Sequence, residues 1–275
     1  MKEPLKFFLV AGEPSGDLHG AKLIKAIKSL NPLTSFVGHG GSLMEGEGMK
    51  IVEHINKLSV MGFKEVVVHL PRIWRIMNST ISLIEKVKPD RIILIDYPGF
   101  NLRLAKSIYK LKIPISYFIL PQAWAWKRKR VELVKKYCAQ TYSLFPFEKS
   151  WYNSKGVNAK FFGHPFMDAE LLNETRAQFF KKHNLNQKNK LIALLPGSRQ
   201  QEIVKHWNIY IKTIALLKKE VPNLEVVIAK SDNTTFPVLD KSFKIETSAK
   251  KAIIASDAAI VASGTATLEC AIEGT

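Results

Sequence analysis

VASGTATLECAIEGT, residues Val261–Thr275, continues an apolar run, AAIVA, through Ser-Gly-Thr into a stretch with helical spacing. Strand, small-residue turn and helix make a phosphate-binding unit, because backbone N–H groups and the helix dipole meet at the turn. Ser263, Gly264 and Thr265 supply small donors there. Glu269 lies four residues after Thr265, on the same helical face, where it can accept hydrogen bonds from a ribose diol. The alternative is an ordinary Ser/Thr N-cap with a solvent-facing Glu.

The same layout recurs upstream. In LLPGSRQQE (Leu194–Glu202), Gly197 and Ser198 offer N–H groups and Arg199 a fixed fork of donors suited to a diphosphate. An Arg at a helix start opposes the dipole, which argues for an anionic partner; a surface ion pair with Glu202 is the other reading. In AGEPSGDLHG (Ala11–Gly20), Gly12 and Gly16 permit close backbone approach, and Ser15 or Asp17 either serves a ligand or caps the helix. His19 is a candidate base, or an idle helix histidine. In LIDYPGFN (Leu94–Asn101), Asp96 stands just past a buried strand, where burial would raise its pKa toward that of a useful base. The other reading is a turn-forming Asp.

Short apolar runs alternate with amphipathic stretches along the chain. KFFLVAG, RIILIDYPGFN, ISYFILP, TYSLFP and AKFFGHP read as strands of one unit; LIALLPGSR, LEVVIAK and AAIVASG read as three more in a second. Near-continuous apolar strands separated by helices predict parallel sheets covered on both faces. The fold class is therefore α/β, with two Rossmann-like domains, residues 1–168 and 169–275, and a boundary near 165–172. Ligands of such sheets bind beyond the carboxyl ends of the strands. Two such edges facing each other would form a cleft.

The 275 residues carry 41 Lys and Arg against 24 Asp and Glu, a net charge of +17. Such a chain is drawn to polyanions, whether nucleic acid, anionic lipid or phosphorylated substrates, unless the lysines merely solvate its surface. No apolar run approaches the ~18–20 residues that span a bilayer. The N-terminus reads as a strand and not a signal peptide. Cys138 and Cys270 lack metal-ligand spacing, and a reducing cytoplasm is the simplest setting. QAWAWKRKR (Gln122–Arg130) interleaves Trp124 and Trp126 with four basic residues: a base-stacking surface, a lipid-headgroup contact, or a packed Trp pair beside a solvated helix. VMGFKEVVVHLPRIWRIM (Val60–Met77), with Val67, Leu70 and Trp74, is either a core helix or an acyl-chain and membrane contact.

Taken together, AGEPSGDLHG, DYPGFN, PQAWAWKRKR, FFGHP, LLPGSRQQE and SGTATLE resemble, in order and spacing, the bacterial lipid-A-disaccharide synthases, glycosyltransferases of the GT-B class. Leu120-Pro121 replaces the Ser-Pro that often precedes Trp-Ala-Trp in that family. The resemblance implies a two-domain GT-B fold. It implies transfer from UDP-2,3-diacylglucosamine to 2,3-diacylglucosamine 1-phosphate (lipid X), giving a β-1′,6-linked disaccharide 1-phosphate and UDP. It assigns Asp96 as base, with Glu13 and His19 as rivals. Gly197, Ser198, Arg199, Ser263, Gly264 and Thr265 go to the diphosphate and Glu269 to the ribose. Ser15, Asn101, Trp124 and Trp126 go to the acceptor, with Val67, Leu70 and Trp74 at the membrane. No cofactor and no metal are expected, since Arg and helix dipoles can meet the developing charge. The implied setting is peripheral, on the cytoplasmic face of the inner membrane, with no nucleic-acid partner and with a homodimer of the full-length protein left open. A UDP-sugar epimerase of the same architecture and a basic nucleic-acid binder are the alternatives. The final helix closes on Gly274, a natural C-cap, and the family continues with further strands and helices. The second domain is thus expected to be incomplete in residues 1–275, with weak UDP-sugar binding and with synthase activity lost or far below that of the complete parent.

Overall fold

The computed structural model describes residues 3–58, 70–167, 174–198, 200–231, 234–237 and 242–275. The chain forms two compact units, Met1–Pro165 and Phe166–Thr275. The boundary expected at 168/169 falls outside the described residues.

The first unit carries seven parallel strands: β1 (Lys6–Val10), β2 (Ser35–Gly40), β3 (Lys50–His54), β4 (Arg91–Ile95), β5 (Ile115–Phe118), β6 (Gln140–Tyr142) and β7 (Ala159–Lys160), in the order β3-β2-β1-β4-β5-β6-β7. Alternation along the strands explains their burial on both faces. Phe8, Val10, Ile92 and Leu94 point to one side, where helices Leu70–Val87, Pro98–Ile108, Arg130–Tyr137 and Pro146–Asn153 contribute Ile84, Leu104, Val134 and Tyr152. Leu9, Ala11, Ile93 and Ile95 point to the other, against Ala21 and Ile24 of helix Pro14–Leu30. Each large apolar side chain removed from water in this way contributes about 1.5–3 kcal/mol.

The second unit repeats the plan with β8 (Leu191–Leu195), β9 (Glu225–Ala229), β10 (Lys244–Glu246) and β11 (Ala258–Val261), all parallel, in the order β10-β9-β8-β11. Helix Gln200–Glu220 covers one face with Ile203, Trp207 and Ile214; helices Arg176–Lys182, Ala249–Ala255 and Thr265–Glu273 cover the other.

Strands β2, β3 and β10 are not among those expected from the sequence. SFVGHG holds two glycines and a histidine, KIVEH alternates with charge, and KIE has three residues; each departs from the apolar run that marks the central strands. Conversely, TYSLFP and AKFFGHP supply shorter strands than expected, because Ser143 and Phe161 onward turn into the following loops.

In both sheets the strand order reverses beside the first strand, between β1 and β4 and between β8 and β11. The crossovers leave in opposite directions there and open a crevice at the carboxyl edge, the site where such sheets receive ligands.

Candidate active site

At the crevice of the first unit, β1 runs into Gly12 and Glu13 and β4 into Asp96 and Tyr97. Asp96 and Tyr97 are both left-handed, with φ of 45° and 46°. A bulky residue in that region is a true outlier, and two in succession store strain that their surroundings must hold. The holding contacts are visible. The Asp96 N–H donates to the Phe118 carbonyl at 3.0 Å, and the Asp96 carbonyl accepts from Tyr117 Oη at 2.7 Å and Asn101 Nδ2 at 2.8 Å. Tyr97 Oη donates to the Leu58 carbonyl at 2.8 Å, and its ring lies where a Cβ on residue 12 would be. Gly12 therefore makes room for Tyr97 and not for a ligand, as the sequence suggested.

This geometry presents the half-buried Asp96 carboxyl with an altered acidity. Burial pushes its pKa up to about 6, with a further push from Glu13; the Tyr97 backbone N–H and Arg130 pull the other way, and Glu148 adds to the rise. His19 is buried on helix Pro14–Leu30, and burial, then Lys22 and His164, push its pKa down to about 4. The ring is uncharged at neutral pH and a weaker base than Asp96. Ser15 is half-buried in the first turn of the same helix.

Two residues take other roles than expected. Asp17 does not cap its own helix. Its carboxylate accepts from the N–H groups of Gly41, Leu43 and Met44 at 2.7, 3.1 and 3.1 Å, and so caps helix Ser42–Gly46. Asn101, expected at the acceptor, is engaged with the backbone. It is fully buried, and its Nδ2 donates to the carbonyls of Val10, Ile95 and Asp96, pinning the ends of β1 and β4 together. These bonds take up the Nδ2 donors, while the buried Oδ1 has no hydrogen-bond partner among the described residues.

Beyond β5, the fully buried Glu148 accepts from Trp124 Nε1 at 2.9 Å and from the N–H groups of Leu144 and Phe145 at 3.0 and 3.1 Å. It fixes Trp124 while completing the start of helix Pro146–Asn153. Trp126 is exposed, with Lys127 and Arg130 over its ring at 4.7 and 4.8 Å. Glu148 and Tyr117 carry no motif of their own, and Tyr97 lies within DYPGFN without being singled out there. Glu148 accepts the Phe145 N–H three residues back, as the Glu of a capping box does, but Phe145 has no hydroxyl to return the bond and so no sequence signal marks it. Trp74 is exposed on helix Leu70–Val87, whose Ile76, Met77, Thr80 and Ile84 are buried. That helix is thus both core and surface. Leu70 opens it; Val67 and the Leu70 side chain lie outside the described residues.

In the second unit, β8 and β11 are neighbours, and the Ala262 N–H donates to the Leu195 carbonyl at 2.8 Å. This sets the turn at Gly197 and Ser198 beside the turn at Ser263, Gly264 and Thr265. Gly197 has φ 118°, and a Cβ there would come within 2.7 Å of Glu202 Oε2. Ser263, Gly264 and Thr265 are exposed at the head of helix Thr265–Glu273, with Glu269 half-buried one turn on. The first-turn N–H groups of a helix have no intrahelical acceptor and serve an anion. Gln200 ties in the loop after β9, donating to the Thr235 carbonyl at 2.9 Å and accepting its N–H at 2.8 Å. Arg199 lies outside the described residues. Among the described residues no three His, Cys, Asp or Glu side chains are grouped to hold a metal ion.

Comparison with known proteins bears on these crevices. The lipid-A-disaccharide synthase of Myxococcus xanthus is 35% identical over 280 residues, covering 99% of this chain and 73% of that enzyme. Those of Coxiella burnetii (strain Dugway 5J108-111) and Acidobacterium capsulatum are 35% and 36% identical, covering 96% and 100% of this chain and 72% and 73% of theirs. Among solved structures, the Staphylococcus aureus MnaA–UDP complex aligns with a TM-score of 0.70 at 14% identity, covering 98% of this chain and 78% of that one. The UDP-GlcNAc 2-epimerase of Neisseria meningitidis bound to UDP-GlcNAc aligns at 0.66 and 13%, covering 94% and 78%, and the kitacinnamycin glycosyltransferase at 0.66 and 13%, covering 100% and 80%. These establish the GT-B type of fold and nothing finer. The sequence relatives separate the activities that share it, and they favour neither an epimerase nor a nucleic-acid binder. A family model described as lipid-A-disaccharide synthetase matches residues 7–275. With that match and relatives above one-third identity along nearly its whole length, the chain belongs to the lipid-A-disaccharide synthase family.

Proposed function

We propose that this chain catalyses transfer of 2,3-diacylglucosamine from its UDP conjugate to the C6 hydroxyl of 2,3-diacylglucosamine 1-phosphate, with inversion, in lipid A biosynthesis. The observation that carries the reading is the Asp96 carboxyl, strained into place at the crevice of the first sheet with a pKa of about 6. A base works best with a pKa near the working pH, and this one is ionised at neutrality yet able to take a proton. The acceptor oxygen attacks the anomeric carbon, its proton passes to Asp96, and the bond from that carbon to the diphosphate oxygen breaks with its electron pair leaving on UDP. Glu13 helps hold the pKa of Asp96 up. His19, pushed down to about 4, is the poorer base.

Leaving UDP needs positive potential. The paired turns at Gly197–Ser198 and Ser263–Thr265 supply N–H groups, Arg199 supplies the fixed charge, and Glu269 takes the ribose diol. Such preorganised donors stabilise developing charge without reorganisation. The exposed Trp74, flanked by Arg72 and Arg75, supports contact of the first unit with an anionic membrane surface that holds the acylated substrates. Among the described residues no helix is long and apolar enough to cross a membrane.

The test is product analysis. Incubation with both acylated substrates, followed by proton and phosphorus NMR, is expected to give UDP and a β-1′,6-linked disaccharide 1-phosphate in equal amounts. An epimerised UDP-sugar, or UDP released without disaccharide, would overturn the assignment.

A further inference from the structure

The carboxyl edge of the first sheet is divided in two. At β1 and β4 it presents Glu13 and Asp96; at β5, β6 and β7 it presents rings. Phe118 closes β5, Tyr142 closes β6 and Phe162 follows β7, with Tyr142 meeting Phe118 at 6.4 Å and Phe162 at 6.0 Å. The neighbouring loops carry a second run: Trp124 stands edge-on to Phe147 at 5.1 Å, Phe147 stacks on Phe145 at 5.8 Å, and Phe145 meets the His164 ring at 5.6 Å. Phe162 is 80% exposed and Phe147 51%, so each run presents an apolar face to solvent.

Single exposed apolar residues are ordinary on soluble proteins. These rings instead form two runs that come together at the segment from Phe162 to His164, the run through Phe147 being anchored by the buried Glu148 through Trp124. Anchored aromatic faces bind apolar groups at low entropic cost, as they lose little freedom on contact. Beside them, Lys127 and Arg130 lie over Trp126, giving the patch a cationic rim. An apolar floor with a cationic rim complements an acyl chain attached to a phosphorylated headgroup. β7 lies three strands from β4, about 14 Å at ~4.8 Å per strand. A chain extending from a sugar held at Asp96 spans such a distance.

We propose that Phe147 and Phe162 form the seat of an acyl chain of the acceptor glycolipid and set the enzyme's preference for long chains. The inference rests on the reaction proposed above. The experiment compares KM for an acceptor carrying two long acyl chains with KM for its diacetyl counterpart, both in detergent micelles. The wild-type enzyme is expected to favour the long-chain acceptor strongly, since each fully buried methylene contributes about a three- to fourfold factor. Phe147→Ser with Phe162→Ser should cut that preference at least tenfold, with Phe→Leu at both positions restoring most of it. Both side chains are exposed, so the melting temperature should hold.

An unchanged preference overturns the seat. So does loss of liposome co-sedimentation with an unchanged preference, which would make the rings a bilayer contact. A change of oligomeric state in the serine variant would make them a contact between copies and overturn it likewise. If the wild-type enzyme forms no disaccharide from either acceptor, the reaction is misassigned, and a titration followed by tryptophan fluorescence still decides the seat. Diacylglucosamine 1-phosphate should then perturb the wild-type emission and bind the serine variant at least tenfold more weakly, and equal binding overturns the proposal.

Discussion

Asp96 shows what one position costs and what it does. Its pKa stands near 6 against an ordinary 3.8, so the folded chain binds this proton more tightly than the unfolded chain does. By linkage, stability then falls as pH rises through the interval from about 4 to about 6, and the ionised carboxylate is a standing cost above it. Asp96→Asn should therefore raise the melting temperature at pH 7 and above, with the gain shrinking as pH drops toward 4; a melting temperature lowered at pH 7 would count against the strained, desolvated carboxylate. Asp17 is the opposite case, a carboxylate fully used by structure. Asp17→Ala removes three hydrogen bonds at the start of helix Ser42–Gly46 and should destabilise by about 2–3 kcal/mol, measured by urea denaturation. Sequence could place Asp96, because a polar residue ending an apolar strand must stand at the sheet's ligand edge. It could not separate Asp17 or Asn101 from a ligand-binding role, because the Asp17 partners are backbone groups 24–27 residues away and Asn101 ties the nearby Ile95 and Asp96 carbonyls to that of Val10, 91 residues away.

Among the elements, the strands that read as apolar runs were legible and those broken by glycine, charge or shortness were not. β1, β4, β8 and β11 are buried on both faces or lie beside the crevice, and their sequences read as apolar runs. β2, β3 and β10 take their state from pairing with a neighbour: β2 aligns Val37 with Phe8, and β10 aligns Ile245 with Ile228. Such tertiary pairing overrides weak local preference. The glycine turns were also legible, and Gly197 meets the expectation with φ 118°. Gly197→Ala would force a Cβ into that left-handed conformation and against Glu202. It should weaken UDP binding at least tenfold by calorimetry with the fold retained; unaltered affinity would remove this turn from the diphosphate site.

Across the whole molecule, charge is unevenly distributed. Between Pro98 and Lys160 the acidic residues are Glu132 and Glu148 alone, against thirteen Lys and Arg, and Glu148 is buried and engaged. The basic excess belongs to the first unit's helices and loops, where the acylated acceptor is proposed to bind. Binding to anionic liposomes is expected to weaken as salt rises, since screening shortens the reach of exposed charge. Replacing Val67, Leu70 and Trp74 together by Ser should reduce co-sedimentation further; binding unaffected by the triple change would exclude that segment from the membrane contact. The central claim is that Asp96, tuned by Glu13, takes the acceptor's proton, and the pH dependence of kcat/KM tests it most directly. The wild-type rate should rise with pH through a limb near 6. Glu13→Gln removes a like charge and should move that limb to lower pH, while Asp96→Asn should cut the rate by about 10²–10⁴ and abolish the limb. A rate for Asp96→Asn within threefold of wild type, on the same limb, would contradict the account.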